Sequence, residues 1–110
     1  MLTIDLSKLT RHKVTMLTGH PRGLEARTMY ALDAIDGADE TAVIVAPVEL
    51  DTITPSFVQG FLAASLRHLG EENLRRKYDV SHLPSFLQED FETGLQRLLL
   101  HLRAKNKVVH

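Results

Sequence analysis

Six consecutive residues, Thr41-Ala-Val-Ile-Val-Ala46, constrain this chain more than any other feature. The run is short, nearly all apolar and rich in β-branched side chains, and Pro47 stops it. Such a segment reads as a strand buried on both faces, because a strand with one wet face would alternate. Something must cover it, and the neighbouring stretches supply the cover. Leu24 to Ile35 is dense in Leu, Ala, Met, Glu and Arg and reads as a helix, with Leu24, Ala31 and Ile35 on one face, Thr28 and Leu32 beside it, and Gly37 as its C-cap. Thr54-Pro55 opens a second helix with an N-cap threonine and a proline at the first helical position. Phe57, Phe61, Leu62, Ser65, Leu66 and Leu69 form its inward stripe, and Gly70 ends it. A strand buried between amphipathic helices specifies an α/β fold.

The remaining elements fill in around this centre. Leu2, Ile4 and Leu6 alternate with polar residues, as in a half-buried strand. Lys13 to Leu17 is a second short strand able to pair with the first. Val48 to Ile53 is a connection with its apolar residues turned inward, Glu71 to Lys77 a charged helical turn, and Asp79 to Leu83 a last short strand. Ser85 and Gln88 have the spacing of a capping box. The final helix carries Phe86, Leu87, Phe91, Leu95, Leu98, Leu99 and Leu102, with Gly94 as a weak point, and ends near Ala104 before a frayed 106–110. The expectation is an α/β (α+β) sandwich with a small mixed sheet of about four strands and helices packed on one side. With 110 residues it forms a single domain, residues 1–110.

Composition narrows the chemistry. There is no cysteine, which excludes disulfides, thiolate metal sites and a cysteine nucleophile. The formal net charge is -1, so no general affinity for nucleic acid is expected. Neither a signal peptide nor an apolar run approaching the ~20 residues needed to cross a bilayer is visible, so a cytoplasmic protein without a membrane partner is expected. The six histidines lack H-x-x-x-H or H-E-x-x-H spacing and read as surface residues, His110 at the end among them. The cluster Asp33, Asp36, Asp39 and Glu40 fails calcium-loop spacing and reads as a solvated corner. No metal and no cofactor is implied. Arg103, Lys105 and Lys107 suit the negative end of the last helix. Leu100 lies off the apolar stripe; exposed there, it would mark a partner or homodimer contact.

Two places carry candidate chemistry. Gly19-His-Pro-Arg-Gly23 precedes a helix and holds Arg22, with Arg27 one turn on, a combination that can take an anion or nucleotide phosphate, though a plain turn with the arginines solvated or paired to Glu25 and nearby acids is the more ordinary reading. It is not a Walker A loop, since no Gly-Lys-Ser/Thr follows. Ser56 lies in the first turn of the second helix, where a phosphate would meet unpaired N–H groups. As a hydrolase nucleophile Ser56 lacks the small neighbours of an elbow, because Thr54, Pro55, Phe57 and Val58 surround it.

The stretches Gly19-His-Pro-Arg-Gly-Leu-Glu-Ala-Arg27 and Thr54-Pro-Ser-Phe-Val-Gln-Gly-Phe-Leu-Ala-Ala-Ser-Leu-Arg-His-Leu-Gly70, with the buried strand between them, resemble the STAS-like domain family of unknown function, itself similar to the STAS domains of anti-sigma factor antagonists. The likeness runs from about Arg11 to Leu100. It implies a small mixed sheet with helices on one side, a prokaryotic source and a non-enzymatic signalling or protein-interaction role. It also implies a partner such as a histidine-kinase-like ATPase or another regulator. In the better-known members an Asp-Ser-Ser-Gly segment opens the helix after the central strand, and its second serine is phosphorylated. Ser56 holds that position, so the resemblance makes it the candidate phosphoacceptor. Thr54, Pro55 and Phe57 stand where Asp, Ser and Gly stand in that pattern. Arg22, Gly23, Arg27, Thr54 and Phe57 are the candidate partner or anion-binding residues, with Phe57 as packing anchor. The alternative function is a small-ligand or nucleotide sensor built on the Gly19–Gly23 loop. An enzyme is the least supported reading, because no acid, base and nucleophile set at specific spacing is visible.

Overall fold

The computed structural model describes residues 1–108, with side chains to Arg103. In chain order the elements are β1 (Leu2–Asp5), α1 (Ser7–Thr10), β2 (Met16–Leu17), α2 (His20–Met29), α3 (Leu32–Gly37), β3 (Ala42–Val45), β4 (Thr52–Ile53), α4 (Pro55–Leu69), α5 (Glu71–Lys77), β5 (Tyr78–Asp79) and α6 (Ser85–Val108). The fold is α/β. The apolar run forms β3, the central strand of a three-stranded parallel sheet ordered β1-β3-β5. Leu2 registers with Ala42, and Ala42 with Tyr78. Side chains alternate along a strand, so Ile4, Ala42, Ile44 and Tyr78 share the buried core face while Thr3, Val43 and Asp79 share the other.

The strands divide differently from the single mixed sheet expected. β2 pairs with β4, in parallel, as a separate two-stranded sheet. The expected pairing of residues 2–7 with 13–17 does not form. The link between them folds into α1, and left-handed Arg11 and His12 (φ 54° and 56°) then turn the chain away. Two other segments depart from expectation. Of Asp79 to Leu83 only Asp79 is strand, because its Oδ1 accepts the Ser81 N–H at 2.8 Å and turns the chain. In the 48–53 connection Leu50 and Ile53 point inward, but Val48 is fully exposed.

The helix expected over residues 24–35 is two helices. Left-handed Ala31 (φ 54°) breaks it, and the Tyr30 hydroxyl at the break donates to the Asp5 carbonyl at 2.6 Å. Leu24 and Ala31 are consequently exposed rather than on the inner face. Gly37 does not cap α3. The Lys77 ammonium does, donating to the carbonyls of Ile35, Ala38 and Glu40 at 3.0, 2.6 and 2.9 Å. A cation there answers the negative end of the helix, and it joins the Ala38 N–H, which donates to the Ile35 carbonyl at 3.1 Å. Lys77→Met keeps the aliphatic stem and removes the charge; it is expected to cost about 2 kcal/mol, read as a lower urea midpoint at unchanged slope. An unshifted midpoint would show that water caps α3 equally well.

α4 follows expectation closely. The Thr54 side chain accepts the Phe57 N–H, Pro55 is the first helical residue, and Phe57, Phe61, Leu62, Ser65 and Leu66 are buried. The rings of Phe57 and Phe61 stack at 5.5 Å, and Phe91 of α6 lies 6.5 Å from Phe61. α6 opens without a reciprocal capping box. The Pro84 carbonyl takes the Leu87 and Gln88 N–H groups, and the Gln88 amide donates to the Leu83 carbonyl at 2.8 Å. Phe86 is exposed, against expectation, and Leu100 is exposed as its position predicts. The helix runs to Val108, past the expected end near Ala104. The side chains of Lys105 and Lys107, and the whole of 109–110, lie outside the described residues. Among the described residues no helix is long and apolar enough to cross a membrane.

Candidate functional site

β2 and β4 are parallel neighbours, and each runs within two residues into a helix. The N-termini of α2 and α4 therefore emerge side by side beyond the carboxyl ends of their strands, the place where α/β folds characteristically bind ligands. Thr54 joins them. Its N–H donates to the Leu17 carbonyl at 2.9 Å. Its Oγ1 accepts the N–H of Phe57 at 3.3 Å and of Gly19 at 3.4 Å. Gly19 caps α2 with φ 87°, a conformation costly for any side chain. The Asp90 carboxylate accepts the Ile53 N–H at 2.9 Å and ties α6 to the same corner.

Ser56 sits at this corner, exposed, at the second position of α4. Its hydroxyl lies 3.2 Å from Thr54 Oγ1, and no imidazole or carboxylate bonds it among the described residues. The surrounding field is that of a helix N-terminus, which favours negative charge.

The other expected residues separate from it. Arg22 is half-buried and occupied, donating to the Leu9 carbonyl at 2.9 Å and to both Glu25 oxygens at 3.2 and 3.1 Å. Arg27 is buried and faces inward. Nη1 donates to the Phe61 carbonyl at 2.8 Å and to Ser65 Oγ at 2.7 Å, while Nη2 pairs with Asp33 and Asp36. Both terminal nitrogens are thus engaged, which leaves Arg27 as an internal tie instead of an anion contact. Gly19 to Gly23 is not an open loop either, because α2 begins at His20. Gly23 is buried at the α2–α4 crossing, where a Cβ would lie 2.6 Å from the Phe61 nitrogen. Gly60 is its counterpart on α4, with a Cβ 3.0 Å from the His20 carbonyl carbon. Phe57 is wholly buried, as a packing anchor is. Of the acidic corner, Asp36 is buried and Asp33 pairs with Arg27, so it is not wholly solvated. Among the described residues no three His, Asp or Glu side chains are grouped to hold a metal ion.

What sequence reasoning missed is the furrow leading away from Ser56. α4 forms its floor, with α2 on one side and α6 on the other. Two adjoining hollows of about 300 Å³ each share Gln59, Leu98 and His101. One reaches Ser56 and Arg97; the other reaches His20, Ala63 and Arg67. The available signal was the outward periodicity of Gln59, Ala63 and Arg67 on one helix and of Arg97 and His101 on another. A smaller apolar cavity of about 100 Å³ lies elsewhere, between Leu62, Leu74, Phe91 and Leu95, under the Arg75–Glu92 pair. Arg75 grips both Glu92 oxygens at 2.8 and 2.9 Å and holds that carboxyl down to about 2.

Comparison with known proteins found no matching family model, no matching curated protein and no matching solved structure.

Proposed function

We propose that the chain is a non-enzymatic, STAS-like interaction module of the cytoplasm, switched by phosphorylation of Ser56. One observation carries the reading: an exposed serine hydroxyl at the second position of a capped, fifteen-residue helix, bonded among the described residues to Thr54 alone and opening onto a furrow. A phosphoryl group there is favoured by the field of the helix N-terminus. It would also share its hollow with Arg97. The likeness of the two stretches around Arg22 and Ser56 to STAS-like domains supports the same reading. The partner it suggests is a kinase-like ATPase or another regulator that meets the start of α4.

The sensor alternative loses ground, because the loop meant to cradle a ligand is helical and its arginines are engaged. A hydrolytic role finds no base bonded to Ser56 among the described residues.

The test compares wild type, Ser56→Ala and Ser56→Glu as bait in extracts of the native host, with phosphosite mapping of the bait. A protein retained by wild type and Ser56→Ala, released by Ser56→Glu, together with phosphate on Ser56, is the expected result. Negative charge at this position stabilises a helix start, so loss of capture by Ser56→Glu cannot be ascribed to unfolding if its melting temperature is unchanged or raised. Identical capture by all three, with Ser56 unmodified, overturns the switch.

A further inference from the structure

We propose that the furrow over α4, between α2 and α6, docks an acidic peptide segment of a partner protein, whose carboxylates pair with Arg67 and Arg97. This rests on the interaction-module reading and names the chemistry of the partner.

The charge distribution carries the argument. Arg22, Arg27, Arg75 and Arg76 are each paired with carboxylates of this chain. Arg67 and Arg97, both exposed and both on the furrow, have no such partner among the described residues. Among the described residues the one carboxylate on the furrow, Asp33, is held by Arg27. The furrow therefore presents two uncommitted guanidinium forks, with His20 and His101 beside them, in a chain whose net charge is -1.

Its shape suits a peptide. Gly60, Ala63 and Ala64 keep the floor low, and Leu98 and Leu102 give it an apolar wall. Leu24, about half exposed, stands on the opposite side. From Ser56 to Arg67 is eleven residues of helix, or roughly 16 Å, the span of about five extended residues. A guanidinium fork matches a carboxylate in two parallel hydrogen bonds. Apolar side chains between the acids would fill the hollows over the small residues.

Other occupants fit less well. The acidic corner of a second copy is interleaved with Arg76 and Lys77, which would face the furrow arginines. A nucleic acid would call for a broader basic stripe with large aromatic faces, and among the described residues no Phe, Tyr or Trp lines the furrow. The Ser56 hydroxyl opens into the same furrow, so a phosphate there would compete with the peptide for Arg97.

The test is fluorescence anisotropy at physiological salt with three labelled probes: a twelve-residue peptide of Glu, Leu and Ala, its Gln-for-Glu counterpart, and a twelve-nucleotide single-stranded DNA. The proteins are wild type, the double variant Arg67→Gln/Arg97→Gln, and Arg11→Gln/Lys13→Gln, which removes the same charge elsewhere. The acidic peptide is expected to bind wild type and the Arg11/Lys13 control alike, and the Arg67/Arg97 variant at least tenfold more weakly. The Gln peptide should lose a similar factor, and amide shifts on titration should concentrate at Gln59, Ala63, Ala64 and Leu98. Melting curves confirm that the surface variants fold. Absent binding, equal affinity for the acidic and Gln peptides, undiminished binding to the Arg67/Arg97 variant, DNA binding as tight as peptide binding, or self-association abolished by that variant would each overturn the proposal. If the peptide fails while Ser56 still controls capture, the furrow falls and the switch stands; if it binds while Ser56 has no effect, the reverse holds.

Discussion

Gly60→Ala is expected to lower the melting temperature by about 15 °C, the result of roughly 3 kcal/mol at about 5 °C per kcal/mol for a domain of this length. On local grounds the sign should be opposite, because alanine is better than glycine in a helix interior by about 1 kcal/mol. Packing decides against it. A Cβ on Gly60 meets the backbone of α2, 3.0 Å from the His20 carbonyl carbon and 3.1 Å from the Leu24 nitrogen. Gly23 answers from α2, with its Cβ 2.6 Å from the Phe61 nitrogen and 2.9 Å from the Gly60 carbonyl carbon. Each glycine is the gap into which the other helix fits. Neither obstacle is a side chain that can rotate away, so the helices must separate, and Ala26, Phe57 and Phe61 lose their close packing with them.

Gly94 makes a useful contrast. The three atoms nearest its Cβ all belong to the Val58 side chain, at 2.5 to 2.8 Å. Gly94→Ala should therefore be partly rescued by Val58→Ala, whereas no side-chain truncation should rescue Gly60→Ala. Gly37 has nothing within 4 Å and no positive φ, so Gly37→Ala should stabilise by about 0.5 kcal/mol through the unfolded chain. Thermal melts of the set decide it. A Gly60→Ala protein that melts at or above wild type would mean that the helices are not locked at this crossing.

These glycines also show where a sequence stops being legible. Gly60 interrupts a strong helical stripe with no turn chemistry around it, and Gly94 does the same on α6. Such a glycine signals a close approach, but the sequence does not say of what. Gly19 to Gly23 reads as punctuation because glycine and proline cluster there; only Gly19 is a turn, and Gly23 is a contact. By contrast β3, the Thr54-Pro55 start of α4 and the charged turn α5 follow from residues within one or two turns of each other, and all three stand where expected. Strand partners did not follow, because parallel pairing depends on crossovers and the β2–β4 ladder is two residues long.

The candidate site divides along the same line. Thr54 and Ser56 were readable because a cap and a first-turn serine are local features. The Arg22–Glu25 pair is local, three residues apart, but the other partners of Arg22 and Arg27, namely Leu9, Phe61, Ser65 and Asp36, come from three other elements and have no local signature. The furrow needs α2, α4 and α6 together, and no spacing within one segment records that convergence.

Asp36→Ala should destabilise the fold by about 3 to 5 kcal/mol, the usual cost of removing one partner from a buried ion pair. Asp36 is buried at the meeting of α3, α4 and β5. Its Oδ2 accepts the Ser65 hydroxyl at 2.6 Å and the Arg27 guanidinium at 3.4 Å, and its Oδ1 accepts the Tyr78 hydroxyl at 2.5 Å. Arg27, Ser65 and Tyr78 are themselves buried, so the truncation strands two hydroxyls and part of a cation away from water. Asp33 remains beside Arg27 but is largely exposed and reaches only one guanidinium nitrogen, so it offsets the loss incompletely. Arg27→Met alone should cost less, since Asp36 keeps both hydroxyl donors. The double variant Arg27→Met/Asp36→Ala should cost less than the sum of the two by at least ~1 kcal/mol, because no unpaired cation is left behind. Urea denaturation of the four proteins closes this cycle. A second readout follows the tyrosines themselves. Burial, and then the bond to Asp36, push the Tyr78 hydroxyl well above the usual phenol range, while burial beside Asp5 raises Tyr30 to about 12. In Asp36→Ala the ultraviolet titration should show one tyrosine moving down towards its ordinary value and the other unmoved. Additive single costs and an unchanged tyrosine titration would mean that α2, α3, α4 and β5 are held by apolar packing, with the charges as passengers. The expected coupling would instead make this buried cluster the brace that sets Arg27, and with it the α2 wall of the furrow, against α4.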